Sequence, residues 1–194
     1  MKVYFIRHGE SEANLEQRHS GWTQVHLTDK GKEDARRAGE MLKDIDFDRV
    51  FTSDLIRAME TQGIAKPEVE AEVSELIREI HVGHLGGRFK SDCFDEYGDE
   101  YIANRDSFEY KPYGGESYQE FCARVDEFKQ QLEALDCERV AVFCHGGVIN
   151  TFLELVLGDR TDRTKIACSN GSVSVFEYKK LSWRLLLWNY TGKI

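Results

Sequence analysis

Two histidine–glycine steps are the first sign of chemistry in this sequence, and each stands at the end of a short apolar run. Val3–Ile6 leads into Arg7–Gly9, and Val140–Cys144 leads into His145–Gly147. A stretch typical of a helix follows in both cases. Because ligands bind at the carboxyl ends of strands in open α/β sheets, and helix N-termini suit anions, the pattern predicts an anion site that holds both histidines.

A third stretch repeats the pattern with an arginine. Residues 49–52 predict a strand and residues 54–65 a helix, which Ser53 or Asp54 would cap, with Arg57 in its first turn. If the three strands are neighbours, two arginines and two histidines share one crevice. Two guanidinium groups on one dianion indicate a phosphate, and a histidine held beside it can be a nucleophile.

These residues are part of a series of motifs that come in a fixed order between about residues 3 and 150. The series comprises Arg7-His8-Gly9-Glu10 with Asn14, Leu27-Thr28 with Gly31, Ser53-Asp54-Leu55 with Arg57-Ala58, Glu79 with Gly83 and Gly87, Gly114-Gly115-Glu116-Ser117, and His145-Gly146-Gly147. As a set it resembles the histidine phosphatase superfamily, also called the phosphoglycerate mutase-like family.

The resemblance implies a phosphoric monoester hydrolase that needs no metal or cofactor and forms a phosphohistidine. It makes His8 the nucleophile, a choice between His8 and His145 that spacing alone leaves open. It also makes Glu79 the general acid and then the base, since a leaving alkoxide needs a proton and the phosphohistidine an activated water. On spacing alone, Glu72 and Glu75 are equal candidates for that role.

The resemblance also assigns the residues that surround the phosphoryl group. They are Arg7, Asn14, Ser20, Gly21, Arg57, His145 and the amide of Gly146. Such positioning and charge stabilisation supply most of the catalysis of phosphoryl transfer. The alternative for each arginine is a surface charge, and Asn14 is an even choice between ligand and structural residue. Glu116 has a rival role as the residue before a helix cap.

One departure bears on the reaction. The mutases of the family have a longer central insertion and a tyrosine-containing sequence after the acid glutamate, where this chain has Ile80–Gly83. This favours a phosphatase acting on a small phosphorylated metabolite over a mutase. A catalytically silent phospho-ligand binder is the third alternative, which the presence of His8, Glu79 and both arginines argues against. Gly86, where many relatives have an acidic residue, leaves the subfamily open.

The composition of the chain limits the kinds of molecule that it is expected to bind. The chain has 35 acidic and 26 basic residues among 194, a formal charge of −9, so we expect no nucleic-acid partner. No apolar run is long enough for a membrane span, and residues 1–7 predict a strand instead of a signal peptide. The expected partner is a small-molecule phosphate ester, and the sequence leaves the oligomeric state open, with a homodimer among the options.

Cysteine and histidine usage suggests no further chemistry. The five cysteines are odd in number and include no Cys-x-x-Cys, which predicts reduced thiols in a cytoplasmic protein. Cys144 lies inside an apolar run and is expected to be a core residue. The spacing of His19, His26, His81 and His84 fits no zinc signature, so no metal site is predicted.

The order of the elements predicts a three-layer α/β/α fold with a mostly parallel central sheet, in a single domain over residues 1–194. A small helical cap insertion is expected at about 88–113, where aromatic residues are frequent, and a hairpin at the C-terminus. Expected strands are 2–6, 49–52, a short one within 70–80, 139–144, 172–175 and 183–190, and expected helices are 10–17, 28–43, 54–65, 117–135 and 147–157. Leu55, Ala58, Met59 and Gln62 form the predicted buried stripe of the third helix, which leaves Arg57 outside it.

Overall fold

One mixed sheet of six strands forms the centre of the protein in the computed structural model, which describes residues 1–160 and 165–192. The strands are β1 (Lys2–Arg7), β2 (Arg49–Thr52), β3 (Glu72–Val73), β4 (Arg139–Cys144), β5 (Val173–Lys179) and β6 (Ser182–Tyr190). Their order is β3-β2-β4-β1-β5-β6. The first four are parallel to one another, and β5 and β6 form the antiparallel hairpin expected at the C-terminus.

The two strands at the centre of the sheet carry the histidine–glycine steps. Val3, Phe5 and Ile6 of β1 are fully buried, as is β4 from Val140 to Cys144, because helices cover both faces of a parallel sheet. The register pairs Arg7 with Cys144. The residues that follow, His8 and His145, therefore leave the sheet side by side.

Helices complete the three layers on either side of the sheet. They are α1 (Glu12–Leu15), α2 (Asp29–Leu42), α3 (Ile56–Ala65), α4 (Lys90–Ser107), α5 (Tyr118–Glu133) and α6 (Gly146–Leu157). Ala38, Leu42 and Ala65 from α2 and α3 join the core on one face of the sheet, and Phe128 and Phe152 from α5 and α6 join that on the other. The predicted three-layer fold is confirmed.

No helix in the described part of the chain is long and apolar enough to cross a membrane.

The predictions for the first and third helices needed correction, whereas the predicted cap of the second by Thr28 is confirmed. The helix expected over 10–17 is the single turn α1, which Ser11 caps together with Asn14. The prediction that Ser53 or Asp54 caps the third helix is wrong, because Leu55 is the N-cap of α3 and its own side chain makes no capping hydrogen bond. Asp54 instead accepts a hydrogen bond from Nε of Arg78 at 2.8 Å.

The predicted buried stripe of α3 is correct at Leu55 and Ala58, but it wrongly includes Met59 and excludes Arg57. Arg57 is fully buried, whereas 43% of Met59 is exposed. The buried residues of this helix are Arg57, Ala58, Thr61 and Ala65. Arg57 can lie on the inner face because loop carbonyl groups accept hydrogen bonds from its N–H groups. A buried charge needs such partners.

The segment 88–113 lies above the carboxyl ends of the parallel strands. It contains α4 and a short 3₁₀ turn at Lys111–Tyr113. Tyr101, Tyr110 and Tyr113 are buried and belong to the core. Phe108 and Tyr110 also line the cavity beneath, so the aromatic residues of this segment both pack and contribute to the wall of the site.

Candidate active site

A cavity of about 930 Å³ lies between the carboxyl ends of the strands and α4. Most of the predicted site residues line it, namely Arg7, His8, Asn14, Ser20, Gly21, Arg57 and Glu79. His145 is fully buried directly behind His8, with 5.2 Å between the ring centroids. Gly146 is the first residue of α6 and lies against the guanidinium group of Arg7. The structure thus brings the predicted residues of four distant segments together.

His8 is held in one tautomer by its own backbone. Its Nδ1 lies 2.7 Å from the carbonyl oxygen of Gly9, and since a carbonyl can only accept, Nδ1 carries the proton and Nε2 keeps its lone pair. Burial lowers the pKa of His8 well below 6.5, and the charges of Arg57 and Arg7 lower it further. The imidazole is therefore neutral and nucleophilic at neutral pH.

His145 presents a free ring nitrogen to the same space. Ser53 Oγ lies 2.9 Å from its Nε2 and accepts a hydrogen bond from the backbone N–H of Leu55 at 3.3 Å. When the hydroxyl group of Ser53 donates to Nε2, the imidazole proton lies on Nδ1. Nδ1 has no protein partner among the described residues. Burial and the charge of Arg57 hold the pKa of His145 well below 6.5, so this neutral ring can donate to an oxyanion.

Within the part of the chain that the structure describes, backbone carbonyl groups and not carboxylates anchor the two arginines. Arg57 donates to the carbonyl oxygens of Gly21 at 2.9 Å and Thr23 at 3.1 Å, and Arg7 donates to that of Cys168. Burial lowers the pKa of Arg57 to about 10, which still leaves it charged at neutral pH. In the described residues, the Nε–H of each arginine is buried without an acceptor. An anion between them would supply one.

Glu79 enters the cavity from the loop after β3. Its carboxylate accepts a hydrogen bond from the N–H of Gly147 at 3.1 Å and from that of Ile80 at 3.0 Å. A Cβ atom at position 147 would lie 2.0 Å from Oε1 of Glu79. Gly147 is therefore required so that the N-terminus of α6 can approach this carboxylate.

Sequence reasoning missed the outer wall of the cavity. Its cations are Arg18, Lys90, Arg105 and Arg160, and Asn150 lies deeper, with a side-chain oxygen that has no partner in the described chain. Burial and the charges of Arg105 and Arg7 lower the pKa of Lys90, which indicates a concentrated positive field. These residues belong to no motif. The only available signal was that Lys90 and Arg105 fall within the predicted cap at about 88–113.

The remaining candidates lie apart from one another. His19 contacts Tyr101, His26 contacts Glu60, His81 packs on Trp22, and His84 contacts Tyr97. Among residues 1–160 and 165–192, no three His, Cys, Asp or Glu side chains form a group that could hold a metal ion. Burial raises the pKa of the Cys144 thiol well above its usual value, in agreement with its prediction as a core residue.

The buried histidines make stability depend on pH. Burial lowers the pKa of His19 from 6.5 to about 4, so between these values the unfolded chain binds a proton that the folded chain does not. The stability is complete above pH 6.5 and is lost as pH falls toward 4. We expect His19→Phe, which keeps the ring packing on Tyr101, to lose less unfolding free energy between pH 7 and pH 5 than the wild type in urea titrations.

His26 supplies a control of opposite sign for this measurement. Its hydrogen bond to Glu60 raises the pKa of this exposed histidine, so its contribution is present below pH 6.5 and is lost as pH rises through the raised pKa. We expect His26→Ala to steepen the loss toward acid slightly. Equal pH slopes for His19→Phe and the wild type would contradict the assignment to His19.

Comparison with known proteins agrees with this geometry. The family model described as histidine phosphatase superfamily, branch 1, matches residues 3–191. The chain belongs to the histidine phosphatase superfamily. It is 36% identical over 162 residues to 2,3-bisphosphoglycerate-dependent phosphoglycerate mutase 2 of Gloeobacter violaceus. The aligned region covers 78% of this chain and 73% of that protein. It is also 36% identical over 173 residues to the corresponding mutase of Methylorubrum extorquens, which covers 84% and 81%.

Solved structures of this superfamily have the same fold. The α-ribazole phosphatase of Shigella flexneri superposes with a TM-score of 0.89 at 26% identity, over 98% of this chain and 97% of that one. A mycobacterial glucosyl-3-phosphoglycerate phosphatase in complex with VO3 superposes with a TM-score of 0.87 at 25% identity, over 97% and 98%. The two relatives compared by sequence are thus named mutases, whereas the two structural neighbours are named phosphatases.

Proposed function

We propose that this protein hydrolyses a small phosphomonoester through a phosphohistidine. The observation that carries the proposal is the fixed tautomer of His8, whose Nε2 lone pair is free in a cavity lined by Arg7 and Arg57. A neutral, anchored imidazole beside two arginines whose Nε–H groups have no acceptor among the described residues is prepared for a phosphoryl group.

The reaction has two displacements. Nε2 of His8 attacks phosphorus, the ester P–O bond breaks, and the leaving alkoxide takes a proton from the carboxyl group of Glu79. A water molecule then attacks the phosphohistidine, gives its proton to the Glu79 carboxylate, and the N–P bond breaks with the electron pair returning to Nε2. The guanidinium groups of Arg7 and Arg57 and Nδ1 of His145 stabilise the charge on the phosphoryl oxygens in both steps.

Features of the outer cavity support hydrolysis and describe the substrate. Ile80 and Val82, in the segment where the mutases have their tyrosine-containing sequence, give this part of the wall an apolar surface. Lys90, Arg105 and Arg160 add positive charge to the far side. The organic part of the ester is therefore large enough to extend toward the far side of the cavity, and it carries a second anionic group there.

The first experiment measures phosphate release from a panel of phosphomonoesters in the presence of a chelator. Esters with and without a carboxylate or second phosphate are compared at equal leaving-group pKa, and we expect a higher kcat/KM for those that carry one. A parallel reaction with 3-phosphoglycerate and 2,3-bisphosphoglycerate tests the mutase alternative, which the names of the similar mutases support. Formation of 2-phosphoglycerate faster than release of phosphate would assign the protein to the mutases.

The arrangement of the arginines also predicts inhibition by vanadate. Vanadate adopts the five-coordinate geometry of a phosphoryl group in transit, and such analogues bind about 10²-fold or more tightly than substrates. We expect competitive inhibition with a Ki well below the KM of the best ester, measured from initial rates. Noncompetitive inhibition or unchanged turnover in excess vanadate would count against phosphate binding between Arg7 and Arg57.

A further inference from the structure

The motif Gly114-Gly115-Glu116-Ser117 has no part in the chemistry described so far, yet it packs directly on the loop that carries Glu79. A Cβ atom at position 115 would lie 2.2 Å from the carbonyl oxygen of His81. A Cβ atom at Gly83 would likewise lie 1.8 Å from the carbonyl oxygen of Tyr113. The two glycine-containing loops thus touch backbone to backbone, which only glycine allows.

Glu116 and Arg124 connect these two loops through side chains. Glu116 accepts the backbone N–H of His81 at 2.8 Å and pairs in a bidentate manner with Arg124, from Nε at 2.9 Å and Nη2 at 2.8 Å. Both side chains are about 15% exposed, Arg124 at 14% and Glu116 at 15%. A pair with this geometry and burial is well ordered, because the guanidinium fork is fixed by its partner.

The remaining N–H groups of Arg124 bind the backbone that leads to Glu79. Nη1 donates to the carbonyl oxygens of Leu76 and Arg78, both at 2.9 Å, and Nη2 donates to that of Glu79 at 3.3 Å. One guanidinium group thus binds three carbonyl groups of the segment 76–79. Trp22 Nε1 donates to the same carbonyl oxygen of Glu79 at 2.7 Å.

We infer that Arg124 and Glu116 are positioning residues for the general acid, and that they fix the backbone on both sides of Glu79 so that its carboxyl group meets the leaving oxygen. Neither residue lines the cavity, so neither touches substrate. The inference rests on the proposed function, in which Glu79 protonates the leaving group. Misplacing a catalytic group by about 1 Å can cost about 10²-fold in rate.

The test compares esters with good and poor leaving groups. For Arg124→Met we expect kcat/KM on an alkyl phosphate, which reports formation of the phosphohistidine, to fall by about 10²-fold. The kcat/KM on p-nitrophenyl phosphate, whose leaving group needs little protonation, should change by less than about threefold. Glu116→Gln is expected to show the same selectivity with a smaller loss, because it keeps the hydrogen bond from His81. Vanadate inhibition should not change, since Arg7 and Arg57 are untouched.

Two further variants separate positioning from general destabilisation. Arg49→Met removes another bidentate arginine–glutamate pair, with Glu72 at the outer edge of the sheet, and should leave both rates unchanged. In a Glu79→Gln background, Arg124→Met should cause no further loss, since residues that act through one group are not additive. Where Arg124→Met lowers the unfolding temperature too far, Glu116→Gln provides the same comparison.

The outcomes distinguish this inference from the proposed function. Equal losses of Arg124→Met on both classes of ester, or a further loss in the Glu79→Gln background, would overturn the positioning role while Glu79→Gln itself stays selective. A Glu79→Gln variant without selectivity would instead overturn Glu79 as the acid, and the positioning role with it. Absence of phosphate release by the wild type from every ester would reject the hydrolase.

Discussion

Replacing His8 by alanine should abolish turnover, with a loss of at least about 10⁴-fold in kcat, as is found for the removal of other enzyme nucleophiles. In the proposed reaction the imidazole of His8 forms the covalent bond to phosphorus, and we expect that His145 does not take over this role. The ring of His145 lies behind that of His8, and its Nδ1 carries the proton in the tautomer that Ser53 favours. The measurement is steady-state phosphate release together with trapping of labelled phosphate on the protein after acid-free quenching.

Labelling gives the sharper of the two readouts for His8. The wild type should retain label on a peptide that contains His8, and His8→Ala should retain none. His26→Ala, which removes an exposed histidine outside the cavity, is the matched control and should label as the wild type does. Label on a peptide that contains His145 would reverse the assignment of the nucleophile.

Replacing Arg57 by lysine should cost about 10²- to 10³-fold in kcat/KM, the range found when one preorganised donor to an oxyanion is removed. The positive charge remains, but an ammonium group cannot bind the carbonyl oxygens of Gly21 and Thr23 and an anion at the same time in the geometry of a guanidinium fork. The loss should appear in kcat and in the Ki for vanadate.

A matched substitution on the surface controls for the change of residue type. Arg36 is exposed on α2, so Arg36→Lys should leave both constants as they are. Thermal unfolding of Arg57→Lys shows how much of its loss is structural, because the backbone carbonyl groups of two loop residues lose their donors. A variant that binds vanadate as tightly as the wild type would exclude Arg57 from the phosphate site.

The sequence was sufficient for the layers and for the position of the site, because both depend on local patterns. The apolar runs before His8 and His145 are buried on both faces, as central parallel strands must be. Their adjacency in the sheet then brings together Arg7 and the two histidines. The roles of these residues in catalysis stay predictions until they are measured.

Local patterns failed where a residue has its partners far away in the chain. Arg57 was expected outside the buried stripe of α3, since a stripe is recognised by apolar residues. Its partners are carbonyl groups more than 30 positions earlier, and backbone acceptors leave no trace in residue types. Ser53 and Asp54 looked like helix caps for the same reason, although His145 and Arg78 engage their side chains.

Lys90, Arg105 and Arg124 were missed for related reasons. The first two enter the cavity from α4, which is kinked at Gly98 and whose position over the site no motif indicates. Arg124 lies on a helix with an evident apolar stripe, and a charged residue beside such a stripe usually faces solvent. Its contacts with carbonyl groups 45 to 48 positions away could not be read from that helix alone.

The anchor of His8 has a consequence for how mutations affect the two ends of the reaction. The acceptor that fixes the imidazole is the main-chain oxygen of Gly9, so no exchange of one side chain for another deletes it. The placement of Glu79 depends instead on two side chains, Arg124 and Glu116, each of which one codon change can remove. In a library that covers every single substitution, variants that lose activity only on esters with poor leaving groups should therefore be common. Variants that keep His8 but lose its reactivity should be rare.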